Sequence, residues 1–162
     1  MLCFCDIRQV NIIRRMKQHA ALGAAGWDWP EWSDAFYPPD MPEEWRLTYY
    51  NTQFACVFLA APAWRQAAAA AYEAWAADTH EQFMFLLEDA LPDEIPEVLA
   101  GRAQGMGRDD PRLLWFDRQT SLKTLSEQLA LPGRETPLYL LSRDGDMGQI
   151  ERVRTLLELL GL

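Results

Sequence analysis

The sequence predicts an α/β fold with about five mostly parallel strands and flanking helices. Short apolar runs alternate along the chain with helical patterns, which is typical of successive βαβ units. The runs show no polar alternation, and this indicates strands buried on both faces, as in parallel sheets, of which an open doubly wound sheet is one alternative. With 162 residues, the chain is predicted to form one α/β domain over 16–162, preceded by an N-terminal extension over 1–15.

Each predicted element follows from its local sequence. The predicted strands are the apolar runs 20–25, 55–61, 82–87, 112–117 and 137–142. The predicted helices are the alanine-rich segment 62–79, the segments 94–103 and 121–131, and the amphipathic segment 148–160. Gly161 is expected to end the last helix, and Thr120 or Ser121 to begin the one before it. The glycine-rich segment 101–111 is interpreted as an exposed loop.

A helix is also expected after the first strand. Asp40 and Glu43 have the spacing of a capping box, in which each side chain would bond a free backbone N–H of the first turn. Pro42 would lie within that turn, where its missing N–H is harmless. This pattern predicts a helix that begins at Asp40.

Between the first strand and this helix lies a loop rich in aromatic residues. It contains Trp27, Trp29, Trp32, Phe36 and Tyr37. Such a loop could present a stacking platform for a sugar or base, or could fold back and bury its rings on its own domain. We favour the second alternative for Trp27 and Trp32.

Composition excludes several classes of function. The net charge of −9 and the pI near 4.7 argue against binding to nucleic acid or to an anionic membrane surface. No apolar run is long enough to span a bilayer. A signal peptide needs an uninterrupted apolar core, and charged residues interrupt the N-terminal apolar segment. We therefore expect a cytoplasmic protein.

The cysteines and histidines do not form a recognised metal motif. Cys3 and Cys5 make an isolated pair, Cys56 falls in a predicted strand, and His19 and His80 lie elsewhere at unrelated spacings. We therefore predict no metal and no cofactor, and expect Cys56 to be a small core residue.

Polar residues follow the predicted strands, and the carboxyl ends of parallel strands are where α/β sheets bind ligands. The candidate catalytic residues are Glu88, Asp89, Asp117 and Asp144, and the candidate ligand-binding residues are Trp27, Asp28, Trp29, Arg118 and Arg143. Converging carboxylates could hold a divalent cation or act as general acid and base. The alternative is that Asp117 and Asp144 cap the turns that follow their strands.

The opening of the chain resembles the YecE-like proteins, a family of unknown function with a TIM-barrel-like fold. The resemblance lies in Gly26-Trp27, Trp32, Phe36-Tyr37-Pro38, Trp45, Tyr49-Tyr50 and Phe54, and continues at Trp75 and Phe83-Met84-Phe85. It covers residues 20–92, with a weaker similarity over 137–162. It implies an incomplete TIM-barrel-like fold, because the chain is too short for eight βα units.

The departures from the family pattern concern polar residues at strand ends. Phe58 and Ala60 stand where the family has Glu and Asn, Glu88 stands where it has Lys, and Ser142 and Arg143 stand near its asparagines. The resemblance thus implies a divergent relative that has lost the family's polar site.

Two functions follow as hypotheses. The first is a non-enzymatic structural or interaction protein that acts as a homodimer, with an unknown small-molecule ligand. The second is a metal-dependent hydrolase or lyase that uses the carboxylates named above. A homodimer is expected because a five-stranded remnant of a barrel would leave two edges and an apolar face uncovered. Its interface is predicted to include Leu156, Leu157 or the N-terminal segment.

Overall fold

A six-stranded, fully parallel sheet forms the centre of the protein. The computed structural model describes residues 20–162. The strands are β1 (Ala20–Ala25), β2 (Cys56–Leu59), β3 (Met84–Glu88), β4 (Ala103–Met106), β5 (Leu113–Phe116) and β6 (Leu138–Ser142). Their order is β4-β3-β2-β1-β6-β5. This is one strand more than the sequence predicts, while the α/β class and the parallel arrangement are confirmed.

The strand order follows a circle that is open between β4 and β5. Apart from this gap, each strand lies beside the strand that precedes or follows it in the chain, and β6 pairs with β1. All crossovers therefore step in one direction, which places right-handed connections on a single face. The helices are α1 (Glu43–Gln53), α2 (Ala61–Arg65), α3 (Ala69–Ala77), α4 (Leu122–Leu129) and α5 (Met147–Leu160). The sheet is a curled half-barrel, and of the two predicted alternatives the incomplete barrel is correct.

Two apolar clusters account for the two faces of the sheet. The outer cluster joins the strands to the helices and contains Trp32, Tyr50, Phe85, Leu140 and Ile150. The inner cluster lies inside the curl and consists of Cys56, Phe58, Leu86, Met106, Leu113, Tyr139 and Leu141. Cys56 is fully buried, as predicted, and burial raises the pKa of its thiol.

The predicted core residues are buried. Phe58, Leu59, Phe85, Leu87, Leu114, Phe116, Leu140 and Leu141 are all at most 5% exposed. However, the premise that one face of the sheet lacks cover is wrong, because the sheet curls around its own inner cluster. Leu157 is buried within the domain and Leu156 is partly buried.

The expectation of an exposed loop over 101–111 is wrong. Residues Ala103–Met106 form β4, which pairs with β3, and Met106 is 2% exposed. This strand has too few apolar side chains to give a strand pattern. It also contains Gly105 because the carbonyl of Ala90 occupies the place of a side chain, only 1.8 Å from an ideal Cβ.

Two predicted helices differ from those observed. The alanine-rich segment forms two helices, because Trp64 anchors one to the end of β3 and Trp75 stacks on Phe85 in the other. In place of a helix over 94–103, single 3₁₀ turns occupy Pro92–Glu94 and Glu97–Leu99.

The predicted capping box does not form, but two other helix ends are confirmed. The first helix begins at Glu43 after Pro42, and Asp40 has a positive φ of 61°, which a capping residue does not adopt. Ser121 caps α4 through its side chain, and Gly161 ends α5 with a φ of 71°.

Among residues 20–162 no helix is long and apolar enough to cross a membrane. The predicted extension over 1–15, including Cys3 and Cys5, lies outside the described residues.

Candidate functional site

The carboxyl ends of all six strands meet at one edge of the half-barrel, which we call the mouth. Five of the strand ends carry a charged side chain at this edge: Asp28 after β1, Glu88 in β3, Arg108 after β4, Asp117 after β5 and Arg143 after β6. β2 is instead followed directly by α2, whose first backbone N–H at Ala61 points to Glu88. Ligand sites of parallel barrels lie at this edge.

The aromatic loop folds back onto the domain. Trp32 is fully buried, and its indole N–H donates to the carbonyl of Gly145 over 2.7 Å. The indole of Trp29 lies against Gly145, where a Cβ would be 2.7 Å from the ring, and Gly145 has a positive φ of 66°. The loop is therefore fixed to the turn that follows β6.

Trp27 and Trp29 remain partly exposed and line an open cleft beside this loop. The ring of Trp27 packs edge to face on Trp75 of α3, with 5.5 Å between ring centroids. The cleft has a volume of about 440 Å³ and is lined by Ala25, Gly26, Trp27, Asp28, Trp29, Leu59, Ala63 and Trp75. Three indoles thus surround an apolar space, with one carboxylate at its rim. Trp27 packs on the domain as predicted, and it also presents a ring to the cleft.

The rim of the cleft is held by a small polar network. Asp28 forms an ion pair with Arg46 of α1, whose guanidinium lies 5.5 Å from the ring centre of Tyr37. The Tyr37 hydroxyl donates to the carbonyl of Trp27. Burial raises the pKa of Tyr37 well above its usual range, so it remains a hydrogen-bond donor at ordinary pH. The network fixes the position of Trp27.

Glu88 is bound on two sides. One carboxylate oxygen accepts from the Ala61 N–H over 2.8 Å, and the other accepts from the Nε of Arg108. The Ala61 bond lowers the pKa of Glu88, with the Arg108 pair acting in the same direction against a smaller effect of burial. Glu88 is therefore an ionised structural carboxylate at neutral pH.

We predict that this lowered pKa makes the protein sensitive to acid. Because the pKa of Glu88 is lower in the folded state than its usual 4.5, the ionised group stabilises the fold above that pH, and the stability is lost as the pH falls. Glu88→Gln should therefore show a smaller fall in stability below about pH 4.5, measured by urea denaturation. Glu73→Gln, at an exposed position of α3, should behave as the parent does; equal profiles for all three proteins would contradict this.

Asp117 and Asp144 lie near the ends of β5 and β6. Asp144 accepts from the backbone N–H and the Nε of Arg118, each over 3.1 Å. Burial opposes but does not prevent a lowered pKa for Asp144, because these bonds favour its ionised form. Asp117 accepts from the Gln119 N–H and the Thr120 hydroxyl, as expected for a turn cap, and its other oxygen is 4.0 Å from Nε of Arg143.

The candidate residues therefore separate into distinct groups. The structure places Trp27, Asp28 and Trp29 together at the cleft, whereas Arg118 and Arg143 do not line it. Glu88, Asp117 and Asp144 are each paired with a different arginine, and Asp89 is exposed. Within residues 20–162 no three His, Cys, Asp or Glu side chains are grouped so as to hold a metal ion.

Sequence reasoning did not identify Arg46, Arg108 or a site role for Trp75. Helical spacing places Arg46 and Trp75 on helices but does not show which strand end each one faces. Arg108 lies in the segment interpreted as a loop. The sequence carried no local signal for these contacts, because the Asp28 side chain is 64% exposed and a solvated carboxylate does not require a protein donor.

The fold and the mouth define a parallel α/β half-barrel with its polar groups at the carboxyl ends of the strands, which is the class expected of a shortened TIM-barrel relative. Residues 21–88 match the family model described as "Protein of unknown function DUF72". This is the YecE-like family, so the match confirms the resemblance over the region from β1 to β3. No curated protein and no solved structure gave a significant match.

Proposed function

We propose that the chain is a cytoplasmic, non-enzymatic binding protein whose cleft takes a flat, largely apolar small molecule. The observation that carries this proposal is the cleft itself, in which Trp27, Trp29 and Trp75 surround about 440 Å³ of space. Binding sites for small molecules are concave, mostly apolar and lined by aromatic side chains with few polar groups. The rim carboxylate of Asp28, paired with Arg46, would orient a ligand through a hydrogen bond.

The arrangement of carboxylates supports binding without catalysis. General acid–base chemistry needs a group whose pKa lies near the working pH. The pKa of Glu88 and that of Asp144 are instead lowered, by the backbone N–H of Ala61 and that of Arg118 together with arginine partners. These carboxylates are thus engaged by the protein, and we infer that they maintain the strand ends.

Binding can be tested with N-phenyl-1-naphthylamine, a neutral aromatic probe whose fluorescence increases in apolar surroundings. We expect the parent protein to bind it, and Trp75→Leu to weaken binding by about tenfold because one wall of stacking area is lost. Trp45→Leu is the matched control, because Trp45 is 62% exposed on α1 and does not line the cleft.

Equal affinities for the parent and Trp75→Leu would contradict the proposal. A loss of affinity supports it when the variant has the same melting temperature as the parent, because Trp75 also packs on Phe85. Absence of any fluorescence increase with the parent would also contradict it.

The metal-dependent hydrolase or lyase remains the rival hypothesis, and a thermal-shift series with Mg²⁺, Mn²⁺ and Zn²⁺ tests it. A cation present at a hundred times its dissociation constant would stabilise the fold by about 2.7 kcal/mol. We expect no such rise. A rise that disappears in both Glu88→Gln and Asp117→Asn would support the enzyme instead.

We further propose that the chain forms a homodimer. The covered inner face removes one of the two reasons for expecting it, whereas β4 and β5 are still edge strands. In addition, Leu159 and Leu160 at the end of α5 are 81% and 47% exposed. Burying these side chains against a second copy would remove them from water. Light scattering should give twice the chain mass, and Leu159→Glu should give a monomer; a monomeric parent at micromolar concentration would refute the proposal.

A further inference from the structure

We propose that Arg108 and Arg143 form a binding site for the phosphate group of a small molecule, at the mouth of the half-barrel. The two arginines follow β4 and β6, and their guanidinium groups both lie over the ring of Trp115 in β5. Their central carbons are 5.8 Å and 6.0 Å from the ring centre, respectively. Arg108 also lies 5.2 Å from the ring centre of Phe58.

Two aromatic rings pack against these cations: Arg108 contacts both Phe58 and Trp115, and Arg143 contacts Trp115. Phe58 and Trp115 meet edge to face, with 4.9 Å between their centroids, and Phe58 belongs to the inner cluster. The indole N–H of Trp115 donates to the carbonyl of Arg108 over 3.0 Å, which fixes the backbone beneath this arginine. The side chains of Arg108 and Arg143 are 53% and 56% exposed, so each packs against a ring while part of its guanidinium stays open to an anion.

Both arginines retain hydrogen-bond donors. Over residues 20–162, the side chain of Arg108 donates only through Nε, to Glu88. In the same region the side chain of Arg143 makes no hydrogen bond, and its contact with Asp117 is 4.0 Å long. Each guanidinium carries five N–H donors, so the terminal nitrogens of both side chains are available to a ligand.

The neighbouring carboxylates position the arginines without using up these donors. One oxygen of Glu88 is occupied by the Ala61 N–H, and one oxygen of Asp117 accepts from Gln119 and Thr120. Each carboxylate thus has one oxygen directed to the Nε of an arginine. A phosphate group suits the remaining donors, because its several oxygens can be shared between two guanidinium groups that approach from different strands.

This site is separate from the tryptophan cleft, since none of its four residues lines that cleft. It can therefore be occupied whether or not the cleft binds a planar ligand. Failure of the cleft experiment would leave this proposal unaffected, and the converse also holds.

The experiment is a titration of the full chain with inorganic phosphate, followed by ³¹P NMR line width at pH 7.5 and constant ionic strength. We expect saturable binding in the millimolar range for the parent. Arg108→Gln and Arg143→Gln should each weaken it by about tenfold, the effect of losing hydrogen bonds to a charged group. Arg143→Lys should retain part of the affinity, because charge is kept while the planar fork is lost.

The matched control is Arg65→Gln. Arg65 lies 4.9 Å from the ring centre of Trp64 and pairs with Glu94, so it has the same kinds of contacts at a different position. It should bind phosphate as the parent does, and acetate should not compete. The proposal is overturned if the parent shows no saturable binding, if Arg65→Gln weakens binding as much as the other variants, or if acetate binds equally well.

Discussion

Trp32→Ala should lower the free energy of unfolding by about 3–5 kcal/mol, the usual cost of truncating a large buried aromatic residue. Trp32 is fully buried, and its ring is parallel to that of Phe54 at 5.8 Å and near-parallel to that of Tyr50 at 6.0 Å. The substitution would leave a cavity among these rings. It would also leave the carbonyl of Gly145 without its indole donor.

Urea denaturation of the parent and the variant measures this loss, and Trp45→Ala is the control. Trp45 has the same side chain but is 62% exposed, so its truncation should change the stability by less than about 0.5 kcal/mol. If Trp32→Ala unfolds at the same urea concentration as the parent, the aromatic loop does not contribute to the core.

Trp32→Ala should also affect the candidate cleft. The bond from Trp32 to Gly145 ties the aromatic loop to the turn after β6, and the same turn supports the ring of Trp29. The packing of Trp32 and the position of the cleft residue Trp29 are therefore linked through this turn. We expect the variant to bind N-phenyl-1-naphthylamine less tightly even at temperatures where it remains folded.

The sequence predicted the parts of the fold that depend on continuous apolar runs. The runs around Phe58, Phe85 and Leu140 are too apolar for a sheet with one wet face, and these residues are buried. The curvature of the sheet could not be predicted in this way. Small residues on β1, such as Ala21 and Gly23, allow the strands to close around the inner cluster, and composition gives no measure of that geometry.

The part of the candidate site that directly follows a strand could be predicted, whereas the part supplied by helices and by the connection after β4 could not. Trp27, Asp28 and Trp29 follow the first strand directly, so their place at the mouth follows from the parallel sheet alone. Arg46, Trp75 and Arg108 reach the mouth from helices and from a connection of low apolar content. Their positions depend on tertiary packing, which local patterns do not specify.

β4 was not predicted for the same reason, since its place in the sheet depends on tertiary packing. That packing is close at Gly105, where a substitution should have a large effect on stability. Gly105→Ala should destabilise the protein by about 3 kcal/mol, at the upper end of the usual cost of forcing extra volume into a packed site. The added Cβ would lie 1.8 Å from the carbonyl oxygen of Ala90 and 2.7 Å from its carbon. These are backbone atoms, so no side-chain rotation can relieve the clash, and β4 would have to move away from β3.

Gly107→Ala is the matched control for this substitution, two residues further along the same segment. A Cβ at Gly107 would meet only the carboxylate of Asp89, at 3.4 Å, which is an ordinary contact with a movable side chain. We expect Gly107→Ala to unfold within about 0.5 kcal/mol of the parent in urea. If segment 101–111 were instead the exposed loop that its composition suggests, both substitutions would be tolerated equally. A clear difference between them would show that β4 is packed against the β3–β4 connection, and hence that Arg108, which follows β4, is held at the mouth.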